Sequence, residues 1–335
     1  MKKARVARTV ALFLLTLSSL SAGRHPVADQ AGQSARGDPR MPWAQAQSRP
    51  AEAASQPDEQ RSPAERVNRF ALVSCGTSHG STQHQKWYWD SNQRICKMLT
   101  EVYGYPEEAI YRLYEDGKEK DAAVDGRSSL VNYRKVFEHL ARIMKEDDQL
   151  LVYIVGHGGS TPRGCVHDLT DGFLTSKELG KMLDALPTRN IVILLNPCQS
   201  GCFIWDLSGK GRVICTSTRA DEGNAAGWEG AITSALVGGA EADADGDGRV
   251  SIKEAYNAAI EGTERYYRNK KLPLMEHSLL DDNGDGLGHF GKDPVVRGDG
   301  ELAAKTWLGD GGRKLRYSAA AIKALAESNE QLKLE

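Results

Sequence analysis

Two uninterrupted apolar runs, LLVYIV at 150–155 and IVILL at 191–195, constrain this chain more than any other feature. A strand that is apolar at every position must hide both of its faces, which requires a parallel sheet covered by helices on each side. The surrounding sequence supplies those layers. RFALVSC (69–75), Ile110–Tyr114 and RVICT (212–216) read as further strands. A helix is expected over Trp87–Tyr103, closed by Gly104. Leu130, Tyr133, Phe137, Leu140 and Met144 recur at spacings of three and four, one buried helical face. Thr175 and Glu178 form a capping box that opens a helix running to Leu186. Such sheets place their ligands beyond the carboxyl ends of their strands, so chemistry is expected just after LLVYIV and IVILL.

Both places carry reactive side chains. Gly156-His157-Gly158-Gly159 follows the first run, and Asn196-Pro197-Cys198-Gln199-Ser200-Gly201 follows the second. A thiol needs a base to attack a carbonyl, and imidazole can take that proton and later return it to the leaving amine. Glycines beside both residues let a peptide approach the backbone, where the N–H groups of Gly158 and Cys198 would hold a developing oxyanion. Taken singly, each fragment also fits a turn or a buried thiol. Their joint placement after two apolar strands favours a His157–Cys198 pair. Cys75, His79 and His84 form a rival group at the end of the first strand and in the polar loop GTSHGSTQHQ (76–85). No glycine-flanked geometry supports them, so they read as residues bordering the same cleft. His139 falls in an amphipathic helix as filler, and His167 and Asp168 sit in an inserted segment that would line the cleft.

Further along, Asp243, Asp245, Asp247 and Glu254 occupy positions 1, 3, 5 and 12 of an EF-hand-type loop, with Gly248 at the sharp turn. The carbonyl of Arg249 would supply the position-7 ligand, and Ser251 would act through water. Four carboxylates so close repel one another without a cation, so Ca2+ is expected in a structural or regulatory role. A second loop begins with Asp281, Asn283 and Asp285, but its twelfth position is Lys292, leaving an incomplete ligand set.

The chain's start bears on where it works. A basic stretch, an apolar run from Val10 to Leu17 and a small-residue exit at Ser21-Ala22-Gly23 read as a signal peptide over 1–23, hence a secreted or periplasmic protein without stable membrane insertion. Its removal takes away four positive charges, moving the net charge from -2 to -6, which argues against a nucleic-acid partner. Residues 24–66 are rich in Ala, Gln, Ser and Pro and read as a disordered linker or pro-segment. Of the six cysteines, none has CxxC spacing; a Cys198–Cys202 or Cys198–Cys215 disulfide is the bland alternative to catalysis.

The motifs carry a family resemblance. WYWDSNQRICKMLTEVYGYPEEAIYRLYEDG (87–117), GHGG (156–159) and NPCQSGCF (196–203) are similar to clan CD cysteine peptidases, and within them to the legumain-like family C13, especially its bacterial secreted members. The 41 residues from His157 to Cys198 are also near the spacing of about 50 in caspase-type sequences. The resemblance runs from about Arg69 to His289. It implies a caspase-like α/β/α sandwich with a mostly parallel central sheet, with the EF-hand-like loops at its C-terminal periphery. It also implies peptide-bond hydrolysis through a thioester, with His157 and Cys198 as the dyad. The expected organisation is a peptidase domain over 67–291 and a C-terminal extension over 292–335, whose Tyr317–Leu334 is helical in composition. Two positions depart from the family: the acidic pocket residue two before the nucleophile is Asn196, and the pocket arginine falls at Ser91. With Ser217 these are the pocket candidates, and cleavage after asparagine does not follow. Two functions are carried forward: a calcium-stabilised cysteine endopeptidase acting on proteins or peptides, and a catalytically inactive calcium-binding scaffold. A P-loop enzyme or Rossmann dehydrogenase is set aside, because no GxxxxGK or GxGxxG follows a strand.

Overall fold

The computed structural model of the chain describes residues 62–118, 124–162, 164–225, 227–238, 241–292 and 298–335. The expected leader at 1–23 and nearly all of the segment 24–66 lie outside the described residues.

Five parallel strands form the heart of the molecule: β1 (Arg69–Cys75), β2 (Ile110–Tyr114), β3 (Gln149–Val155), β7 (Asn190–Leu195) and β8 (Arg212–Thr216). Two short antiparallel strands, β9 (Leu279–Asp281) and β10 (His289–Phe290), extend the sheet in the order β10-β9-β8-β7-β3-β1-β2. A separate antiparallel ribbon of β4 (Gly158–Thr161), β5 (Gly164–Leu169) and β6 (Gly172–Thr175) leaves the end of β3. The parallel sheet follows from strands buried at every position, β3 being wholly buried from Gln149 to Val155.

Alternate side chains of each strand point to opposite faces, and helices cover both. Leu151, Tyr153 and Val155 join one core with α1 (Thr82–Lys97), α5 (Gly227–Leu236) and α6 (Ile252–Lys270). Leu150, Val152 and Ile154 join the other with α2 (Leu130–Ile143), α3 (Ser176–Asp184), α4 (Ile204–Leu207) and α7 (Ala319–Asn329). The result is the expected three-layer sandwich.

Details differ from expectation for physical reasons. The first helix starts at Thr82, five residues early, because the Ser81 hydroxyl caps it by accepting the His84 N–H; its last turn widens into a π-turn over Met98–Val102. The Thr175–Glu178 capping box is present at α3. The terminal helix is shorter than Tyr317–Leu334 and docks on the outer edge of the sheet, where Asn329 bonds Tyr111, His139 and the Glu108 carbonyl. His139 is consequently buried beneath α7. That edge is also covered by residues 124–126, with Tyr114 N–H donating to the Gly126 carbonyl at 3.1 Å.

The cysteine pairing is neither alternative considered from sequence. Cys202 bonds Cys165 of β5, while Cys198 and Cys215 are free thiols. The bridge ties the ribbon to the helical turn that follows Cys198, across a sequence separation of 37 residues. Replacing both Cys165 and Cys202 by Ala is expected to lower unfolding stability by about 2–4 kcal/mol, read by denaturant titration.

Candidate active site

Adjacent pairing of β3 and β7 brings their carboxyl ends together. The Asn196 N–H donates to the Ile154 carbonyl at 2.9 Å, and the two loops then run against each other. A Cβ on Gly158 would stand 2.6 Å from Pro197 Cβ, so only glycine allows this approach. Gly156 has φ +143 and its added Cβ would strike the His167 ring, so it too must be glycine. The Ser160 N–H donates to Gln199 Oε1 at 2.6 Å, and the Gln199 N–H to the Glu222 carbonyl at 2.8 Å, closing the turn around Cys198. Gln199 itself adopts the left-handed conformation at φ +57. A non-glycine residue there costs about 1–3 kcal/mol and persists only because neighbouring bonds hold it.

Within this setting the thiol of Cys198 accepts the Asn224 N–H at 3.2 Å. Burial pushes its pKa above the ordinary cysteine value, against the lowering effect of that N–H. His157 Nε2 lies 3.1 Å from Nδ1 of His84. The His157 pKa is lowered, chiefly by burial and then by His84 and His79. Both partners of the expected pair are therefore uncharged near neutral pH, as thiol and imidazole, in place of an ion pair. The hydrogen-bond partner of each is a third residue, His84 for the imidazole and Asn224 for the thiol.

The pocket candidates separate. Asn196 and Ser217 are buried beside the Cys198 turn: Asn196 Nδ2 donates to the Ile154 carbonyl at 3.2 Å, and Asn224 Nδ2 donates to Ser217 Oγ at 3.0 Å and to the Asn196 carbonyl. The Asn196 Oδ1 is buried with no hydrogen-bond partner. Ser91 is a correction. It is sealed in the core, its hydroxyl 2.8 Å from both the Tyr153 hydroxyl and Glu229 Oε1, and Glu229 is paired with Arg94 at 2.6 Å. The residue aligned with a pocket arginine has become part of a buried polar network.

Elsewhere, Cys75 is fully buried, donates its thiol to the Tyr88 carbonyl and has a pKa far above the ordinary range through burial, so the rival pair with it does not form. His79 and His84 do gather at His157. The His79 ring is stacked on it at 5.2 Å and its Nε2 contacts Asp168 Oδ2 at 2.9 Å. His167 does not line the cleft as expected; it is fully buried, with its Nδ1–H donated to the His157 carbonyl at 3.0 Å. Sequence reasoning missed Asn224, which no motif announces, and the part that Gln199, inside the cysteine motif, plays in closing the turn through loop geometry.

The acidic loops keep the backbone pattern of their motif. In the first, one ligand atom each from Asp243, Asp245 and Asp247 lies within 4.8 Å of the others, and Asp243 Oδ1 is buried without a partner. Glu254 Oε1 accepts the Ala244 N–H at 3.0 Å, while Oε2 closes the capping box at Ser251. The Arg249 guanidinium bonds the Asp247 carboxylate, its Nε donating to Oδ2 at 2.9 Å, and stacks on Trp307 at 5.1 Å; being a donor and cation it is no ligand, so only its carbonyl is a candidate. In the second loop the Asp285 N–H bonds Asn283 Oδ1 at 2.8 Å, matching Asp247 N–H on Asp245 Oδ1 at 3.0 Å. The glycines at positions 4 and 6 have positive φ in both loops: 73 and 80 in the first, 83 and 78 in the second. Asp281 is buried, its Oδ2 has no partner, and its pKa is raised to about 6, mainly by burial. Lys292 pairs with Glu261 at 2.5 Å. An orphaned carboxylate oxygen at position 1 of each loop fits a hard divalent cation.

Comparison with known proteins bears on the centre of this arrangement. Residues 127–236 match the family model of the peptidase C13 family. That stretch belongs to the C13 family. The C13 stretch holds His157, Gly158, Asn196, Cys198, Ser217 and Asn224, whereas His79, His84 and both acidic loops lie outside it. A crystal structure of a Geobacter sulfurreducens protein is similar over 68% of this chain and 96% of its own, at 12% identity and a TM-score of 0.43. No curated protein matches the chain.

His167 gives this arrangement an acid limit. Its pKa is lowered to about 4 because the ring is fully buried and its Nε2 has no acceptor for a second proton. A lowered histidine pKa means the unfolded chain binds the proton first, so stability is complete above pH about 6.5 and falls as pH drops toward 4. Over that window the wild type is expected to lose about 3 kcal/mol more than His167→Asn, whose amide can keep the bond to His157, measured by denaturant titration at each pH.

Proposed function

We infer that the chain is a cysteine endopeptidase in which His157 and Cys198 cleave peptide bonds. The observation that supports this best is the close packing of Gly158 on Pro197, which sets the two motif loops of the C13 stretch side by side with Cys198 as a free thiol. Cys198 Sγ attacks the substrate carbonyl carbon while its proton passes to His157, and the N–H groups of Gly158 and Cys198 receive the oxyanion. Collapse breaks the C–N bond, and the departing amine takes the proton from His157. Water then adds to the thioester, giving the acid and restoring the thiol. Burial makes the neutral pair the resting state, so His157 works as a general base on a thiol. The inactive-scaffold reading lost one of its grounds when Cys202 proved to pair with Cys165.

Calcium is assigned to the loop of Asp243, Asp245, Asp247, Glu254 and the Arg249 carbonyl, and more weakly to Asp281, Asn283 and Asp285. The ion's part is to neutralise the clustered carboxylates. The first loop leads directly into α6, which packs on α5, so the ion is assigned a stabilising role away from the dyad. The leader and the secreted location belong to the same reading. Among the described residues no helix is long and apolar enough to cross a membrane.

Two outcomes check this. With a fluorogenic peptide library, Cys198→Ala and His157→Ala are each expected to lower turnover by on the order of 10³-fold or more; undiminished cleavage by Cys198→Ala would sink the reading. Calcium at a hundred times its Kd is expected to add about 2.7 kcal/mol to stability, lost in Asp243→Asn/Glu254→Gln. A melting temperature indifferent to chelator removes the ion from the proposal.

A further inference from the structure

The hydrogen bond between two imidazoles at the end of β3 has a consequence beyond the dyad. We propose that His84 is a positioning residue for His157, accepting the His157 Nε2–H at its own Nδ1 and so holding the base in the tautomer whose Nδ1 is free to take the Cys198 proton. The inference rests on His157 acting as base, as argued above.

The geometry carries it. His157 Nε2 and His84 Nδ1 are 3.1 Å apart, with ring centroids at 4.7 Å and planes inclined by 71°. Between neutral imidazoles one nitrogen must donate and the other accept. Were His84 the donor, His157 would carry its proton on Nδ1 and have no nitrogen left for the thiol. Only the arrangement with His157 donating from Nε2 leaves a base. His84 is also built to stay in place: its backbone N–H is spent on the Ser81 cap at 3.3 Å, and its ring stacks at 6.0 Å on Tyr88, one turn along α1.

The acceptor also has to remain uncharged when His157 becomes imidazolium. His84 stands in the first turn of α1, where the helix dipole disfavours a cation, and burial and His79 both lower its pKa. A neutral Nδ1 then strengthens its bond to the charged His157, the service a carboxylate performs in a hydrolase triad. The other groups around His157 are accounted for. His79 stacks on it and pairs with Asp168, and Tyr88 meets it edge-on at 6.0 Å. His167 bonds its carbonyl, and Cys198 lies in the adjoining loop. Burial raises the pKa of nearby Glu115, with His79 among the groups that oppose the rise.

The test follows the rate at which iodoacetamide modifies Cys198, located by peptide mass mapping, from pH 5 to 9 in the full chain. His84→Ala is expected to slow modification about tenfold at neutral pH, the effect of one lost hydrogen bond, and to move the pH profile. His84→Gln, whose Oε1 is also an acceptor, should recover most of the rate. Nitrogen-15 spectra should show His157 protonated at Nε2 in the wild type and as a tautomer mixture in His84→Ala. A rate, profile and tautomer unchanged in His84→Ala, while His157→Ala slows the reaction, would overturn the positioning role. Indifference to His157→Ala would instead remove the underlying assignment of the base, and the inference with it.

Discussion

Everything at the site depends on the parallel hydrogen bonding of β3 to β7, with Gln149 through Ile154 in register against Asn190 through Leu195. Neighbouring strands stand about 4.8 Å apart, so two loops leaving the same end of two paired strands have no room to diverge. The sequence answers this crowding with glycine at 156 and 158 and with a left-handed turn at Gln199. The ribbon of β4–β6 and the Cys165–Cys202 bridge then hold the two loops in that contact.

Burial sets the chemistry as much as proximity does. Desolvation raises the thiol and lowers the imidazole, so neither is charged at rest, and the polar neighbours are neutral histidine, asparagine and serine side chains. The acidic side chains Asp168 and Glu229 stand one layer away, against His79 and Arg94. Ser91 shows how a position that could line a pocket is absorbed into structure, here by its bond to Glu229. The Glu229 carboxylate stays ionised against burial because Arg94, Ser91 and Tyr153 all serve it.

The layered sheet was readable because it is written in period: LLVYIV and IVILL admit one environment, and the spacing of Leu130 through Leu140 admits one helical face. The loops that carry His157 and Cys198 were readable from their place behind those strands. What escaped depends on contacts between distant segments. Nothing near Cys202 in sequence marks Cys165 as its partner, since the pairing is decided by where the ribbon folds back. Ser91 could not be told from a pocket residue, because its burial depends on Glu229, 138 residues away. His84 was visible as a polar loop residue, but Ser81 caps α1 early and makes it part of a helix aimed at His157.

The margins of the sheet bear on how the molecule behaves in company. On one side β10 is only two residues long; on the other, β2 is covered by residues 124–126 and by α7. Backbone donors and acceptors left open along a strand recruit other chains, and here each margin is either too brief or already engaged. Among the described residues the sheet therefore offers little purchase for stacking copies edge to edge.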